Sequence, residues 1–193
     1  MSDFSRILLF LVSCVFTQNI VFARALGFTA MGDERRVETA AGYGLVVALA
    51  MTLSSALAWL LDMLVLVPAG MIHLRIVAFA LAVLVAVWLV EKLAVAARPA
   101  LAESLGGSLM PVAANCALLG IAVLNYEAGY TLGQAVLSGL FGGLGFLVAI
   151  VLMAGVQERL ETSRIPEALK GMPIALISAS LIALAFMGFT GIA

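Results

Sequence analysis

Charge is scarce in this chain, and that scarcity decides its class. Lysine and arginine number 10 and aspartate and glutamate 11, so charged residues make up 11% of 193, where a soluble domain carries roughly 25%. Hydrophobic residues reach 64% and the mean hydropathy is +1.20. A domain this size must still clothe itself in polar groups to stay in water, and too few are present. The formal net charge of −1 gives no reason to expect nucleic acid. Cysteine is nearly absent too: Cys14 and Cys116, both in apolar runs, are too few for a disulfide framework. The short connections carry no nucleophile–base or metal-spacing motif, so soluble catalysis has little support. What remains is an all-α integral membrane protein.

A spanning helix needs about 20 mainly apolar residues. Six stretches qualify, at roughly 5–26, 40–61, 73–95, 108–125, 134–156 and 172–191. The first has the look of a signal peptide, with Arg6 before an apolar run and "ARA" at 23–25. It is read as a span, because removing it would leave the repeat described below incomplete. Basic residues set the orientation. Arg24, Arg35, Arg36, Lys92, Arg98, Arg159, Arg164 and Lys170 fall on one side, leaving Arg6 and Arg75 on the other. Positive loops stay in the cytoplasm, so both termini are expected outside, with His73 and Arg75 anchoring the outer start of the third span.

The chain also resembles itself. A shift of 96 residues lays Asn19 on Asn115, Glu38 on Gln134 and Asp62 on Glu158. It lays spans one to three on spans four to six with matching hydropathy. Three spans per half mean that the second half starts from the opposite side. The expected architecture is therefore one membrane domain, 1–193, of two inverted three-helix repeats, about 1–96 and 97–193. Such repeats bring broken helices together near the midplane to form a site.

The first helix of each repeat has the residues for a break. Span four holds Pro111, Asn115 and Gly120; span one holds "TQN" at 17–19, Gly27 and the odd segment "GFTAMG". Proline disrupts the preceding turn, and an amide in hydrocarbon needs partners that freed backbone groups can supply. The plainer reading of Asn19 and Asn115 is an interhelical hydrogen bond. Gly139 and Gly143, at GxxxG spacing, read first as packing residues. Asp62, Glu91 and Glu158 lie near span ends, where a solvated head group is expected, although acids within a membrane are also suspects for an ion path. Cys14 reads as a packing residue, about 20 Å along a helix from Gly27. Its repeat partner is Met110, so the two cysteines are not matched.

Longer stretches carry a family resemblance. "MPVAANCALLGIAVLN" at 110–125, "AWLLDMLVLVPAGMIHLRIVAF" at 58–79 and "QERLETSRIPEALKGMPIALISASLIALAFMGFTGI" at 157–192 resemble the Rnf/Nqr family of membrane subunits, of the RnfA and NqrE type. The resemblance covers essentially the whole chain. It implies six spans in two inverted halves, paired with a homologous subunit of opposite topology (RnfE/NqrD-like). It implies a [2Fe–2S] cluster shared by the pair, each subunit giving one cysteine from each broken helix. It further implies electron transfer between ferredoxin and NAD coupled to Na+ or H+ transport, with flavins on other subunits, in a bacterial or archaeal cytoplasmic membrane.

By that resemblance Cys116 is a cluster and metal ligand, and its companion belongs to a Leu-Gly-x-Cys motif. Here the motif reads Leu26-Gly27-Phe28-Thr29, so Thr29 stands in the cysteine's place. A hydroxyl is a poor substitute for thiolate on iron. The resemblance therefore points to a divergent member. The alternatives are a cofactor-free assembly subunit of such a complex, or a small inverted-repeat secondary transporter.

Overall fold

A computed structural model describes residues 3–27, 37–97 and 110–189, and those residues are helical with no strand among them. In hydrocarbon every backbone donor must be satisfied within its own segment, which leaves the helix as the economical conformation for apolar runs. Helix α1 is Asp3–Val12, continued by a π-helical turn at Ser13–Thr17. Helix α2 is Val37–Leu61, extended by a π turn at Asp62–Leu66 and a last turn at Val67–Ala69. Then come α3 (Arg75–Ala97), the short α4 (Met110–Ala113), α5 (Cys116–Glu127), α6 (Leu132–Glu161) and α7 (Met172–Met187).

Local residues set these boundaries. Gly70 takes a left-handed φ of +67° to end the extension of α2, a conformation only glycine adopts cheaply. A capping box starts α6, where the Gln134 side chain accepts from the Thr131 N–H at 3.0 Å. Pro173 falls in the first turn of α7, where its missing N–H costs nothing.

Six apolar helical segments occupy the positions of the expected spans. Three are long enough to cross a bilayer: Val37–Ala69, Ile72–Leu93 and Leu132–Glu161. The other three, Ser5–Thr17, Cys116–Glu127 and Met172–Met187, are shorter. The first span departs most from its expected bounds of 5–26, because regular helix stops at Thr17 and residues 18–27 form irregular turns.

The centre of the molecule is the pairing of α2 with α6. A methyl group placed on Gly44 would lie 3.1 Å from Leu147 Cα, and one on Gly143 would lie 2.6 Å from Ala48 Cα. One on Gly139 would lie 2.9 Å from Thr52 Cα. As the number rises along one helix it falls along the other, so the two run antiparallel. Gly139 and Gly143 let the backbones meet where a larger residue would hold them apart. Met51, Phe146, Ile150 and Met153 fill the core beside this seam. Helices α3 and α5 pack on α2, and the π turn of α1 packs on α6. The outer face of α3 exposes Ile76, Leu81, Leu84 and Trp88, each more than half accessible. Contiguous apolar surface of that kind suits hydrocarbon rather than water.

Candidate functional site

Two interruptions in helical structure meet near the middle of the bundle. The first follows α1. Asn19, fully buried, occupies it and bonds in four directions. Its Nδ2 donates to the carbonyls of Val15 at 2.8 Å and Gly145 at 2.9 Å. Its Oδ1 accepts from the N–H groups of Val21 at 3.0 Å and Phe22 at 3.3 Å. One side chain thus satisfies the groups freed by the break and ties the loop to α6. The run continues through Ala25, at φ +54°, to Gly27, at φ +79°.

The second interruption separates α4 from α5. Asn115 adopts an extended conformation (φ −73°, ψ 110°), and its Oδ1 caps α5 by accepting from the Ala117 N–H at 3.0 Å. The break lies at Ala114–Asn115, beyond Pro111 rather than before it, because the proline occupies the first turn of α4, where a helix tolerates it. Asn115 Nδ2 is buried without a partner among the described residues.

The loops touch through a backbone-to-sulfur contact: the Gly27 N–H donates to Cys116 Sγ at 3.1 Å. A Cβ on Gly27 would fall 2.8 Å from Asn115 Oδ1 and 2.8 Å from Phe146 Cε2. Leu26 lies against Gly120, which leaves no room for a Cβ there. Cys116, the first residue of α5, is exposed, so its sulfur is anchored from behind and open in front. A helix N-terminus and a donated N–H both favour negative charge on that atom. The structure thereby brings Asn19, Gly27, Asn115 and Cys116 into adjoining loops. Thr29 lies outside the described residues.

Replacing Gly27 with alanine should force this contact apart, by steric overlap and by the strained φ. The cost is about 1–3 kcal/mol. In a Cys14→Ser background the check is the alkylation rate of Cys116 by a maleimide, which should rise as the sulfur loses its donor. A rate equal to the parent's would count against the contact.

Three further residues depart from their expected positions. Asp62 is no solvated end group. It is 8% exposed, and its Oδ1 receives the Arg75 Nε–H at 2.7 Å. Arg75 also places its guanidinium carbon 3.7 Å from the centroid of the Tyr126 ring, so it is held by two partners rather than spread at the membrane surface. The cause is the π turn at Asp62–Leu66 and the turn after it, which fold the start of α3 back against α2. Arg24 lines a cavity of about 280 Å³ together with Glu127 and Tyr130. The irregular run after α1 therefore keeps Arg24 at the end of the bundle where α5 joins α6. The basic residues then divide seven to three, and the asymmetry survives. Glu158 is exposed and Glu91 half-buried. Cys14 is half-buried and faces the same 280 Å³ cavity.

Sequence reasoning missed Asn125 and Ser55, both buried and polar. The only signal for either was a polar residue at the close of an apolar run, which says nothing of what it faces. No cluster of three or more His, Cys, Asp or Glu side chains suited to a metal occurs among the described residues.

Comparison with known proteins adds the context for this geometry. The family described as "Rnf-Nqr subunit, membrane protein" matches residues 7–193. The RnfA-type component of the ion-translocating oxidoreductase complex of Syntrophotalea carbinolica is 43% identical over 97% of both chains. Its counterpart in the Na(+)-translocating ferredoxin:NAD(+) oxidoreductase complex of Acetobacterium woodii is 41% identical over 94% of this chain and 95% of its own. The corresponding component from Citrobacter koseri is 41% identical over 96% of each.

Proposed function

The chain belongs to the Rnf-Nqr family of membrane subunits, and from that premise we propose that it serves an ion-translocating oxidoreductase complex as membrane scaffold and as one stage of an electron path. It has no catalytic activity alone. Electrons pass between ferredoxin and NAD on the complex, with flavins on other subunits, as the name of the Acetobacterium woodii relative suggests for the donor and acceptor. The chain resides in the cytoplasmic membrane with both termini outside. Its two halves are inverted repeats, which the antiparallel α2–α6 seam supports: Ala48 and Gly143, which meet there, lie one residue from equivalence under the 96-residue shift. Its partners are the other subunits of the complex, including a homologous membrane subunit of opposite topology.

The observation that carries the electron-path role is the Gly27 N–H on an exposed cysteine at the junction of two broken helices. A [2Fe–2S] cluster takes four ligands, normally thiolates, and would move one electron at a time. Cys116 fits one of those positions. Thr29 does not fit a second, because its oxygen is hard where iron–sulfur chemistry selects soft donors. What this chain offers is a single anchored sulfur, and the remaining ligands come from its partner.

Electron paramagnetic resonance of the complex purified through this subunit tests the assignment, comparing the parent with Cys116→Ser. Loss of a membrane-subunit cluster signal in the variant is the expected result. An unchanged signal would remove Cys116 from the electron path. Absence of a signal in both would favour a cofactor-free assembly role, the reading that Thr29 supports.

A further inference from the structure

A second polar region lies away from Cys116, at the end of the bundle where α2 finishes and α5 joins α6. It is a cavity of about 140 Å³ lined by Ser55, Trp59, Asp62, Asn125, Tyr126 and Tyr130. That is well above the room a single water needs. Ser55 Oγ, on a residue 1% exposed, and Asn125 Oδ1, on a residue 6% exposed, have no hydrogen-bond partner among the described residues. Buried oxygens left that way are costly, and they point to something polar that fills the space. The backbone is held in place around them: Trp59 Nε1–H donates to the Tyr130 carbonyl at 3.0 Å. Asn125 and Tyr130 also line the neighbouring 280 Å³ cavity, so the two spaces share a wall.

The carboxylate in this chamber, Asp62, is bound by a cation that has somewhere else to go. Arg75 bonds it at 2.7 Å and already lies over Tyr126 at 3.7 Å. If Arg75 leaves Asp62, its charge remains stabilised on the ring face. The carboxylate is then free for another cation in a chamber that supplies further oxygens. Ser55 and Asp62 are seven residues apart on α2, about 10 Å along a helix. One bare ion cannot touch both. An ion at Asp62 would keep part of its water shell, and the waters would donate to Ser55 Oγ and Asn125 Oδ1. Hard oxygen donors of this kind suit alkali cations rather than soft metals.

We propose that this chamber is a binding site for a partly hydrated alkali cation, with Asp62 as its charged ligand, Ser55 and Asn125 as acceptors for its water, and Arg75 as the tethered competitor that holds Asp62 when the ion is absent. The inference rests on the ion-translocating role proposed above and gives that role a location. No bond is made or broken: one cation replaces another at a carboxylate.

The test is equilibrium binding of 22Na+ to the purified complex in nanodiscs. Ser55→Ala combined with Asn125→Leu should weaken sodium binding at least tenfold. Arg75→Gln should strengthen it, because the competitor is gone. Should the double variant fail to assemble, Asn125→Asp provides the opposite change, adding a carboxylate, and should bind sodium more tightly. Unchanged affinity in an intact Ser55→Ala/Asn125→Leu complex, or weakened affinity in an intact Arg75→Gln complex, would overturn the site and leave a structural ion pair. Copurification with partner subunits, scored separately, reports on the functional role itself. A chain that assembles yet ignores these substitutions refutes the chamber alone.

Discussion

Gly143→Leu should eliminate the folded chain from the membrane, with a loss of more than about 4 kcal/mol, the range reserved for severe core lesions. Even a methyl group at that position would approach the Ala48 backbone to 2.6 Å and its side chain to 2.8 Å. Ala48 Cα cannot rotate out of the way, as a long side chain could. The helices would have to separate along the seam that organises the bundle, and Gly139 against Met51 and Thr52 would separate with it. Transmembrane helices associate mainly through close packing, since lipid is as apolar as their own side chains. Nothing else would then restore the pairing. Gly42 is the matched control, because nothing lies within 4 Å of a Cβ added there. Gly42→Ala should leave the protein as stable as the parent or slightly more so. Fluorescence-detected size-exclusion chromatography of both variants makes the comparison. A monodisperse Gly143→Leu complex at parental yield would contradict the packing account.

Asn19→Leu should cost about 3–5 kcal/mol, from orphaned buried groups at roughly 1–3 kcal/mol each. The substitution keeps the volume and removes every polar bond. The Gly145 carbonyl then loses its donor, and the Val21 and Phe22 N–H groups lose their acceptor, in a region without water. Asn19→Asp separates the contributions. It keeps both acceptor bonds but loses the donor to Val15 and Gly145, and it adds a buried charge facing two carbonyls. It should therefore be no better than leucine. Thermal melting of the detergent-solubilised complex reads both effects. The Cys116 alkylation rate should rise in parallel, because the loop that Asn19 holds ends at Gly27 on the sulfur. A melting temperature within a degree or two of the parent's would show that the loop is fixed by other means.

Much of this architecture is legible without coordinates. Long apolar runs separated by short charged connections admit helices and little else in hydrocarbon. The pairing of Asn19 with Asn115 in register marks both interruptions, and the glycines at GxxxG spacing mark a helix seam. These features are written in residue type and spacing. They depend on local chemistry: whether a backbone can be satisfied, whether an amide needs partners, whether two helices can approach.

The placement of polar groups against one another is not legible in that way. Asp62 and Arg75 read as independent end groups, because hydropathy cannot register the π turn and reversal that put them 2.7 Å apart. Arg24 reads as cytoplasmic, because counting charges by span assumes that each span passes straight through. Ser55 and Asn125 read as ordinary helix residues, because their lack of partners depends on what lies across a cavity. Residue order alone dictates an all-helical membrane protein with two broken helices, since each segment must hide its own apolar surface and pair its own backbone. Packing in three dimensions is what sets Gly27 on Cys116 and Asp62 in one chamber with Asn125. Such meetings join segments far apart in the chain, and no local preference encodes their distances.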